Sequence, residues 1–338
     1  MRVGIAGAGI MGQLMALSLL HAGWTVTLFD QSASSNCSMA AAGLLAPMSE
    51  LEKSDLSIYH KGLEALTLHW PKIITLLNKP IYFKTSGSLV ISHPRDHEEL
   101  NRFITLISAK FSNKLFAILK KKDINTLEPE INKFNHGVYF QQEGHIDNQQ
   151  LLKVLEDYLI QQGVIFHKNS TVSEIAEGQI ILQENPEKNF IFDLVIDCRG
   201  LGAKKIFKDL RGIRGELMWL HAPDVHITRP IRFLHPRYGL YIVPRPNQIY
   251  LIGASEIEAE DYSEISVQTT LELLTAAYSV HAGFSEARVI KTLSHCRPTL
   301  IHHKPEIKYA KRFIAINGLY RHGFLIAPTL AHEVMQNL

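Results

Sequence analysis

Three glycines near the start of the chain are spaced for phosphate chemistry. Gly7, Gly9 and Gly12 form a G-x-G-x-x-G directly after the apolar run Val3-Gly4-Ile5-Ala6. A helical pattern follows, with Met11, Leu14, Met15, Leu19 and Leu20 on recurring faces, and stops at Gly23. A second apolar run, residues 25–29, ends on an acid, Asp30, 18 residues after Gly12. Strand, glycine turn, helix, strand and acid together make the dinucleotide-binding unit. Gly7 lets the chain turn tightly, Gly9 lets the backbone approach a pyrophosphate, and Gly12 lets helix and strand pack closely. The pyrophosphate would sit on the helix N-terminus, where free N–H groups and the dipole favour an anion. Asp30 is spaced to accept the adenosine ribose hydroxyls. The alternative is a tight turn with no ligand, and the flanking strands, helix and acid together weigh against it.

Two further stretches suit a flat ligand. Residues 32–49 are rich in small side chains, with Cys37-Ser38-Met39-Ala40-Ala41-Ala42-Gly43-Leu44-Leu45-Ala46-Pro47 at their centre. Such a segment can lie close against a ring system, or simply pack tightly. Residues 192–202 read as an apolar strand running into a double-glycine turn at Gly200 and Gly202. Strand C-termini face the ligand crevice in a doubly wound sheet, so this turn offers a second approach to the cofactor.

The composition sets the frame around these features. A chain of 338 residues, 46% apolar and 20% charged, has room for one large or two medium domains of an ordinary globular protein. Lys plus Arg number 35 against 33 Asp plus Glu, which gives no electrostatic argument for nucleic acid or an anionic membrane. The run Lys120-Lys121-Lys122 reads as a solvated helix end. Cys37, Cys198 and Cys296 are far apart and show no zinc or disulfide spacing, and the adjacent His302 and His303 have no third ligand in view, so no metal site is expected. A reducing compartment fits, and cytoplasmic location is the default. No apolar stretch is long enough to span a bilayer. Arg2 and the apolar segment after it resemble a signal peptide, but cleavage there would destroy the glycine fingerprint.

The remaining pattern supplies the scaffold. Helix is predicted over 58–77, with Leu63, Leu66, Trp70, Ile73 and Leu77 as the buried stripe, and again over 96–120, 148–162, 266–280 and 324–337. Residues 125–129 read as a loop or short helical turn. Short strands are predicted at 81–83, 88–91 (after a turn at Gly87), 137–140 (before a turn at Gly144), 164–166, 171–172 and 179–182. From Gly215 onward the pattern is mostly β, at 216–221, 231–234, 240–243, 249–252 and 288–293, with a last strand at 312–318. The α/β segments sit at the start, middle and end, with β-rich segments between them. The predicted division is therefore discontinuous: 1–78, 137–210 and 294–338 form a dinucleotide-binding domain, and 79–136 and 211–293 a substrate-binding cap. NAD and FAD proteins share the opening unit. The position of the fingerprint and a late strand–glycine–helix element favour FAD.

At this point the chain resembles the D-amino-acid-oxidase-type flavoproteins, and most closely the glycine oxidases of the thiamine pathway. The matching stretches are Gly7 to Gly12, residues 40–47, 196–203, 210–216, 241–245 and 252–255, Arg297-Pro298, and residues 317–328, in the family's order along nearly the whole chain. The resemblance implies an α/β fold, with a Rossmann-like FAD-binding domain and a smaller antiparallel-sheet substrate domain as in the glutathione-reductase-type FAD fold. It implies non-covalent FAD, a small amino acid or amine substrate with glycine or sarcosine preferred, and molecular oxygen as electron acceptor. Hydride transfer to the flavin would give an imine, then glyoxylate and ammonia or the thiazole of thiamine, with hydrogen peroxide as the other product. A homo-oligomer is compatible with it.

The resemblance also implies site residues. Arg297 matches the arginine that binds the substrate carboxylate, a task that suits the planar guanidinium fork. Tyr241 matches a tyrosine lining the substrate pocket, and Arg321 lies near substrate and flavin. Gly7, Gly9, Ile10, Met11, Gly12, Asp30, Gln31, Ser38, Ala42, Gly43, Leu44, Val172, Arg199, Gly200, Gly202, Arg321, His322, Gly323, Phe324 and Leu325 are the implied cofactor contacts. The positive end of the last helix would stabilise the reduced ring. Three positions depart from the pattern. Leu44 stands in place of a methionine, and residues 299–308 replace the usual acidic loop and Pro-x-Ile-Gly. Glu256 stands in place of an apolar pocket residue, where a carboxylate would repel a substrate carboxylate or recruit a larger amine. Other readings of the sequence are a flavin oxidase acting on a modified tRNA nucleoside, a flavin-binding subunit of low activity and, more distantly, a nicotinamide-dependent dehydrogenase.

Overall fold

The computed structural model describes residues 1–31, 36–93, 95–112, 115–235 and 239–338, so the first part of the small-residue segment, 32–35, lies outside the described residues. A six-stranded sheet is built around Arg2–Ala6, which pairs in parallel with Leu194–Asp197 on one side and Thr25–Asp30 on the other. Ile165–Lys168 and Phe313–Asn317 extend it in parallel, and Glu306–Ala310 closes one edge antiparallel. Alternate residues of these strands face opposite ways, and both faces are covered. Val3, Ile5, Leu28 and Ile196 pack with the helices Ile10–His21, Asn148–Gln161 and Gly323–Gln336. Phe29 and Val195 pack instead with Ile180, Leu182 and Phe192, under the three-stranded sheet Val172–Ala176, Gln179–Leu182 and Asn185–Ile191.

The second layer is an eight-stranded sheet in the order Arg288–Thr299, Arg211–His221, Ile249–Gly253, Gly239–Arg245, Ile231–Leu234, Ser88–Ser92, His136–Phe140 and Ala117–Lys120. Helix Val267–Val280 buries Leu273, Ala276, Ala277 and Val280 against Met218, Ile242 and Ile252 on one face, and helix His97–Lys110 buries Phe103 against Val90 and Val138 on the other. The strand 288–299 pairs with 211–221 over its whole length. That continuous ladder, and the pairing of His136–Phe140 with Ser88–Ser92, place residues 137–140 and 294–299 in the antiparallel layer, whereas the sequence pattern groups them with the dinucleotide unit.

Several elements differ from the pattern for physical reasons. The helix expected over 96–120 ends at Lys110, and Ala117–Lys120 is an edge strand whose Ile118 points to solvent, so its apolar residues give no alternation signal. Gly144 lies in strand Gly144–Ile146, paired with Leu44–Leu45 and Phe83–Lys84, rather than in a turn; glycine is required there because a Cβ would stand 2.2 Å from the Lys84 carbonyl oxygen. Residues 125–129, read as a loop or short turn, follow into the end of helix Lys121–Leu127. The exposed strand Asn185–Ile191, interrupted by a proline, and the edge strand Glu306–Ala310 carry no clear pattern. Lys120, Lys121 and Lys122 are exposed at the start of a helix. Among the described residues no helix is long and apolar enough to cross a membrane.

The helix expected over 58–77 is broken into Leu56–Glu64, a π-helical turn Ala65–His69, and Trp70–Leu77 with a proline in its first turn. This break brings Trp70, fully buried, against the last helix, where its indole Nε1–H donates to the Phe324 carbonyl oxygen at 3.0 Å. That carbonyl is available because Pro328, four residues on in the same helix, has no N–H to offer it. The pair pins the start of the last helix. Replacing Trp70 with Phe keeps most of the volume but leaves a buried acceptor unsatisfied, at a cost of about 1–3 kcal/mol. The expected outcome is a lower urea midpoint for Trp70→Phe, and an unchanged midpoint would show that the indole bond does not hold the helix.

Candidate active site

The parallel strands deliver two glycine turns to the same crevice. Ala6 pairs with Asp197, and the Cys198 N–H donates to the Ala6 carbonyl at 2.7 Å. Gly7 has φ of 94°, and a Cβ there would stand 2.6 Å from the Cys198 carbonyl oxygen. A Cβ on Gly12 would stand 1.8 Å from the Gly7 carbonyl oxygen, so a methyl group has no room. A Cβ on Gly9 would meet only Ser38, at 3.1 Å from Oγ, which leaves the backbone open on that side. The helix Ile10–His21 starts here with no acid in its first turn, so its positive end is not neutralised from within. Asp30 is buried and accepts the Ala8 N–H at 2.6 Å, which braces the turn, and Gln31 follows it exposed.

Residues 38–44 form a wall across this crevice. Ser38 Oγ accepts the Ile10 N–H at 3.0 Å. The Asn148 side-chain amide donates to the Ser38 and Met39 carbonyls at 2.9 and 3.1 Å. Arg245 is 5% exposed, and its Nη2 donates to the Ala42 and Ile146 carbonyls at 2.6 and 2.9 Å. Gly43 between them has φ of 65°, with no space for a side chain against the Ile146 carbonyl. Further along, Glu143 is fully buried and accepts the Met48 and Ser49 N–H groups, each at 2.7 Å, which fixes the turn that carries Glu50.

Arg199 is committed to structure. It forms a two-pronged pair with the buried Asp197 at 3.0 and 2.7 Å and donates to the Val172 carbonyl at 2.9 Å. Gly200 has φ of 56°, and its carbonyl accepts from Asn317 at 2.8 Å. Val172, Arg199, Gly200 and Gly202 therefore frame the second turn. They do not line the main cavity, and neither do Gly7, Gly9, Met11, Gly12, Asp30 and Gln31. The cavity, about 760 Å³, does bring together Ile10, Ser38, Ala42, Gly43, Leu44, Tyr241, Arg297, Arg321, His322, Gly323, Phe324 and Leu325.

Two arginines in this cavity have opposite environments. Arg297 lies on strand Arg288–Thr299, and its guanidinium covers Gly215, where a Cβ would stand 2.3 Å from it. Its Nη1 donates to the Ser255 carbonyl at 3.1 Å, and no ion pair joins it to a carboxylate among the described residues. Tyr241 lies on strand Gly239–Arg245 opposite Gly253. Burial pushes its phenol up to about 12, with Arg297 acting the other way, so it stays a neutral donor. Arg321, by contrast, pairs with Glu50 at 3.2 Å and with Glu256, and its Nη2 also donates to the Tyr320 hydroxyl at 3.0 Å. Tyr320 in turn donates to Glu256. Burial opposes the charge on Arg321, but Glu50, Tyr320 and Glu256 outweigh it and hold the guanidinium firmly protonated. Glu50 is itself brought down to about 2: burial opposes this, and Arg232, Arg321 and His322 prevail. Glu256 is thus one half of an ion pair with Arg321 rather than a lone carboxylate in the cavity wall.

The last helix begins at Gly323 on the far wall, again with no acid in its first turn. His322 precedes it, is 3% exposed and shares a 3.0 Å hydrogen bond with Ser54. Burial lowers its ring to about 4 although Glu50 acts against this, so the ring is neutral at pH 7. His303 lies tilted against Tyr320, with ring centroids 5.3 Å apart, and His302 accepts the Lys304 N–H at 3.1 Å, so both belong to loop structure. Glu50 carries no spacing signal, and although Gly215 and Arg245 fall in stretches that match the family, their tasks under Arg297 and against the Ala42 and Ile146 carbonyls are visible only once the strands are assembled. A glycine turn closed to side chains, two helix N-termini without acids, and a wall of small residues fit an extended dinucleotide with a ring system at one end.

Comparison with known proteins agrees with this geometry. The family model described as FAD dependent oxidoreductase matches residues 2–336. The protein named "Putative thiamine biosynthesis oxidoreductase ThiO" of Rhizobium etli is 34% identical over 341 residues, covering 100% of this chain and 96% of its own. The uncharacterized oxidoreductase YurR of Bacillus subtilis is 24% identical, covering 98% and 92%. The fold is shared with the solved glycine oxidase of Bacillus cereus, with a TM-score of 0.86 at 20% identity over 99% of this chain and 96% of that one. It is shared also with iminodiacetate oxidase of Chelativorans, with a TM-score of 0.84 at 20% identity over 98% and 93%.

Two outcomes test the site. Gly12→Ala is expected to lose visible flavin absorbance on gel filtration, since its methyl must displace the Gly7 carbonyl; retained absorbance would contradict the cradle. His322 takes a proton near 6.5 when unfolded and near 4 when folded. Its contribution to stability is complete above the first value and lost as pH falls toward the second. The unfolding midpoint is expected to fall across that interval, and less steeply for His322→Gln. An equal slope in both proteins would exclude His322 as the titrating group.

Proposed function

The chain belongs to the FAD dependent oxidoreductase family, and from that premise we propose that it oxidises a small amino acid, glycine or sarcosine by preference, to its imine with release of hydrogen peroxide. The observation that carries this reading is Arg297, a guanidinium in the cavity wall with no carboxylate partner among the described residues. A substrate carboxylate completes it. Glycine oxidation then balances as glycine, oxygen and water giving glyoxylate, ammonia and hydrogen peroxide. The name of the Rhizobium etli relative supports a role in thiamine biosynthesis, where the imine would be drawn into the thiazole before it hydrolyses.

FAD, bound non-covalently, would supply a two-electron acceptor that molecular oxygen can reoxidise. Gly7, Gly9, Ile10, Met11 and Gly12 would hold its pyrophosphate, and Asp30 and Gln31 its adenosine. The second turn, with Val172, Arg199, Gly200 and Gly202, flanks the first. Ser38, Ala42, Gly43, Leu44 and the start of the last helix, His322 to Leu325, would hold its ring end. The chain's own work is positioning. Arg297 fixes the substrate carboxylate with a charge-assisted fork, and the Tyr241 phenol, kept neutral, donates a further hydrogen bond. The substrate amine must react neutral, so that its lone pair assists as hydride leaves, and this asks no residue to act as a strong base. The N-terminus of helix Gly323–Gln336 supplies positive potential where negative charge develops.

Arg297→Ala removes the anchor. Loss of a charge-assisted hydrogen bond predicts a fall of about 10- to 150-fold in kcat/KM for glycine. Arg297→Lys is expected to recover part of it, since a point charge lacks the fork. Unchanged kcat/KM in Arg297→Ala would exclude the anchor.

A further inference from the structure

Four arginines line the cavity among its described residues, and three are already ion-paired. Arg102 pairs with Glu99 at 2.8 Å, Arg232 with Glu52 at 3.0 Å, and Arg321 with Glu50 at 3.2 Å and with Glu256. Among the described residues Arg297 is the one of these four with no carboxylate partner, although the buried Nη1 of Arg232 also lacks a hydrogen-bond partner. Glu256 and Arg297 are close on the same wall, because Arg297 donates at 3.1 Å to the carbonyl of Ser255, the residue just before Glu256. A ligand anchored on Arg297 lies beside the segment that carries the Glu256 carboxylate, and the cation behind that carboxylate donates from Nη1 to Glu50 and from Nη2 to Glu256 and Tyr320, while its buried Nε has no partner among the described residues.

We propose that Glu256 is a specificity-determining residue that makes this pocket a monocarboxylate site, by occupying Arg321 and by opposing a second carboxylate on the ligand. The substrate class that follows is amines with one carboxylate; amines with two, such as iminodiacetate, are rejected. Glu50 holds one side of Arg321 in either case, so removal of the Glu256 charge frees the Nη2 side without releasing the whole guanidinium. The pocket then offers two cationic anchors in place of one. This deepens the amino-acid reading and rests on Arg297 being the carboxylate anchor.

The test uses the holoenzyme and two ligands that are not oxidised, acetate and malonate, with binding read from the perturbation of the flavin spectrum. The wild type is expected to bind acetate in preference to malonate. In Glu256→Gln the ratio of the two dissociation constants is expected to move about tenfold or more toward malonate, the scale of adding one charge-assisted hydrogen bond and removing one repulsion. Glu256→Asp keeps the charge and is expected to keep the wild-type ratio. An unchanged ratio in Glu256→Gln, or an equal move in Glu256→Asp, overturns the proposal and leaves the Arg297 anchor standing. Failure of both ligands to bind any of the three proteins overturns the anchor and the proposal together. Reduction of the flavin by amines is a separate readout, so an error in the substrate reading shows itself independently of the ratio.

Discussion

A guanidinium taken out of water needs a carboxylate or a set of acceptors, and the cavity meets that need unequally. Arg321 is paired from two sides, by Glu50 and Glu256, and Arg232 is paired with Glu52. Arg297 has backbone carbonyls and no carboxylate among the described residues. Desolvation makes an incompletely paired cation costly, and a substrate carboxylate relieves that cost. On the proposed reading, this incomplete pairing is what selects an anionic ligand. The surrounding elements serve this asymmetry. Gly215 clears the space for Arg297, and Glu143 fixes the turn that carries Glu50 to Arg321.

The two layers contribute different things to the site. The parallel sheet brings helix N-termini and glycine turns to its C-terminal edge, which is where backbone N–H groups can face a phosphate. The antiparallel sheet brings long side chains, Tyr241 and Arg297, from neighbouring regions of a stiff surface. Arg245 joins the layers: it lies on the antiparallel sheet, yet its guanidinium holds the Ala42 and Ile146 carbonyls of the wall that faces the first turn. The pinned last helix completes the enclosure, since the Trp70 bond to Phe324 sets its first turn in place.

What could be read from the sequence was local. The glycine spacing, Asp30 and the flanking periodicities lie within one βαβ unit, and the family motifs extend along the chain in order. Arg297 was legible through such a motif. Glu50 and Arg321 are 271 residues apart, and no spacing rule joins them. Gly215 falls in a family-matching stretch, but the reason for a glycine there appears only when Arg297 is seen lying over it. Glu256 was legible as an anomaly, but its pairing with Arg321, 65 residues away, was not, because no spacing rule joins the two. Arg199 was legible through a cofactor motif, whereas the hold of its guanidinium on Asp197 and the Val172 carbonyl was not. Edge strands such as Ala117–Lys120 escaped because exposure erases the alternation that marks a buried strand.

The most direct test of the central claim is an anaerobic visible spectrum of the purified holoenzyme, with glycine and then sarcosine added. The predicted result is bleaching of the yellow flavin band by at least one of them, with hydrogen peroxide formed when air is readmitted. A band that persists with both, and with every other small amino acid, would contradict amino-acid oxidation at this site.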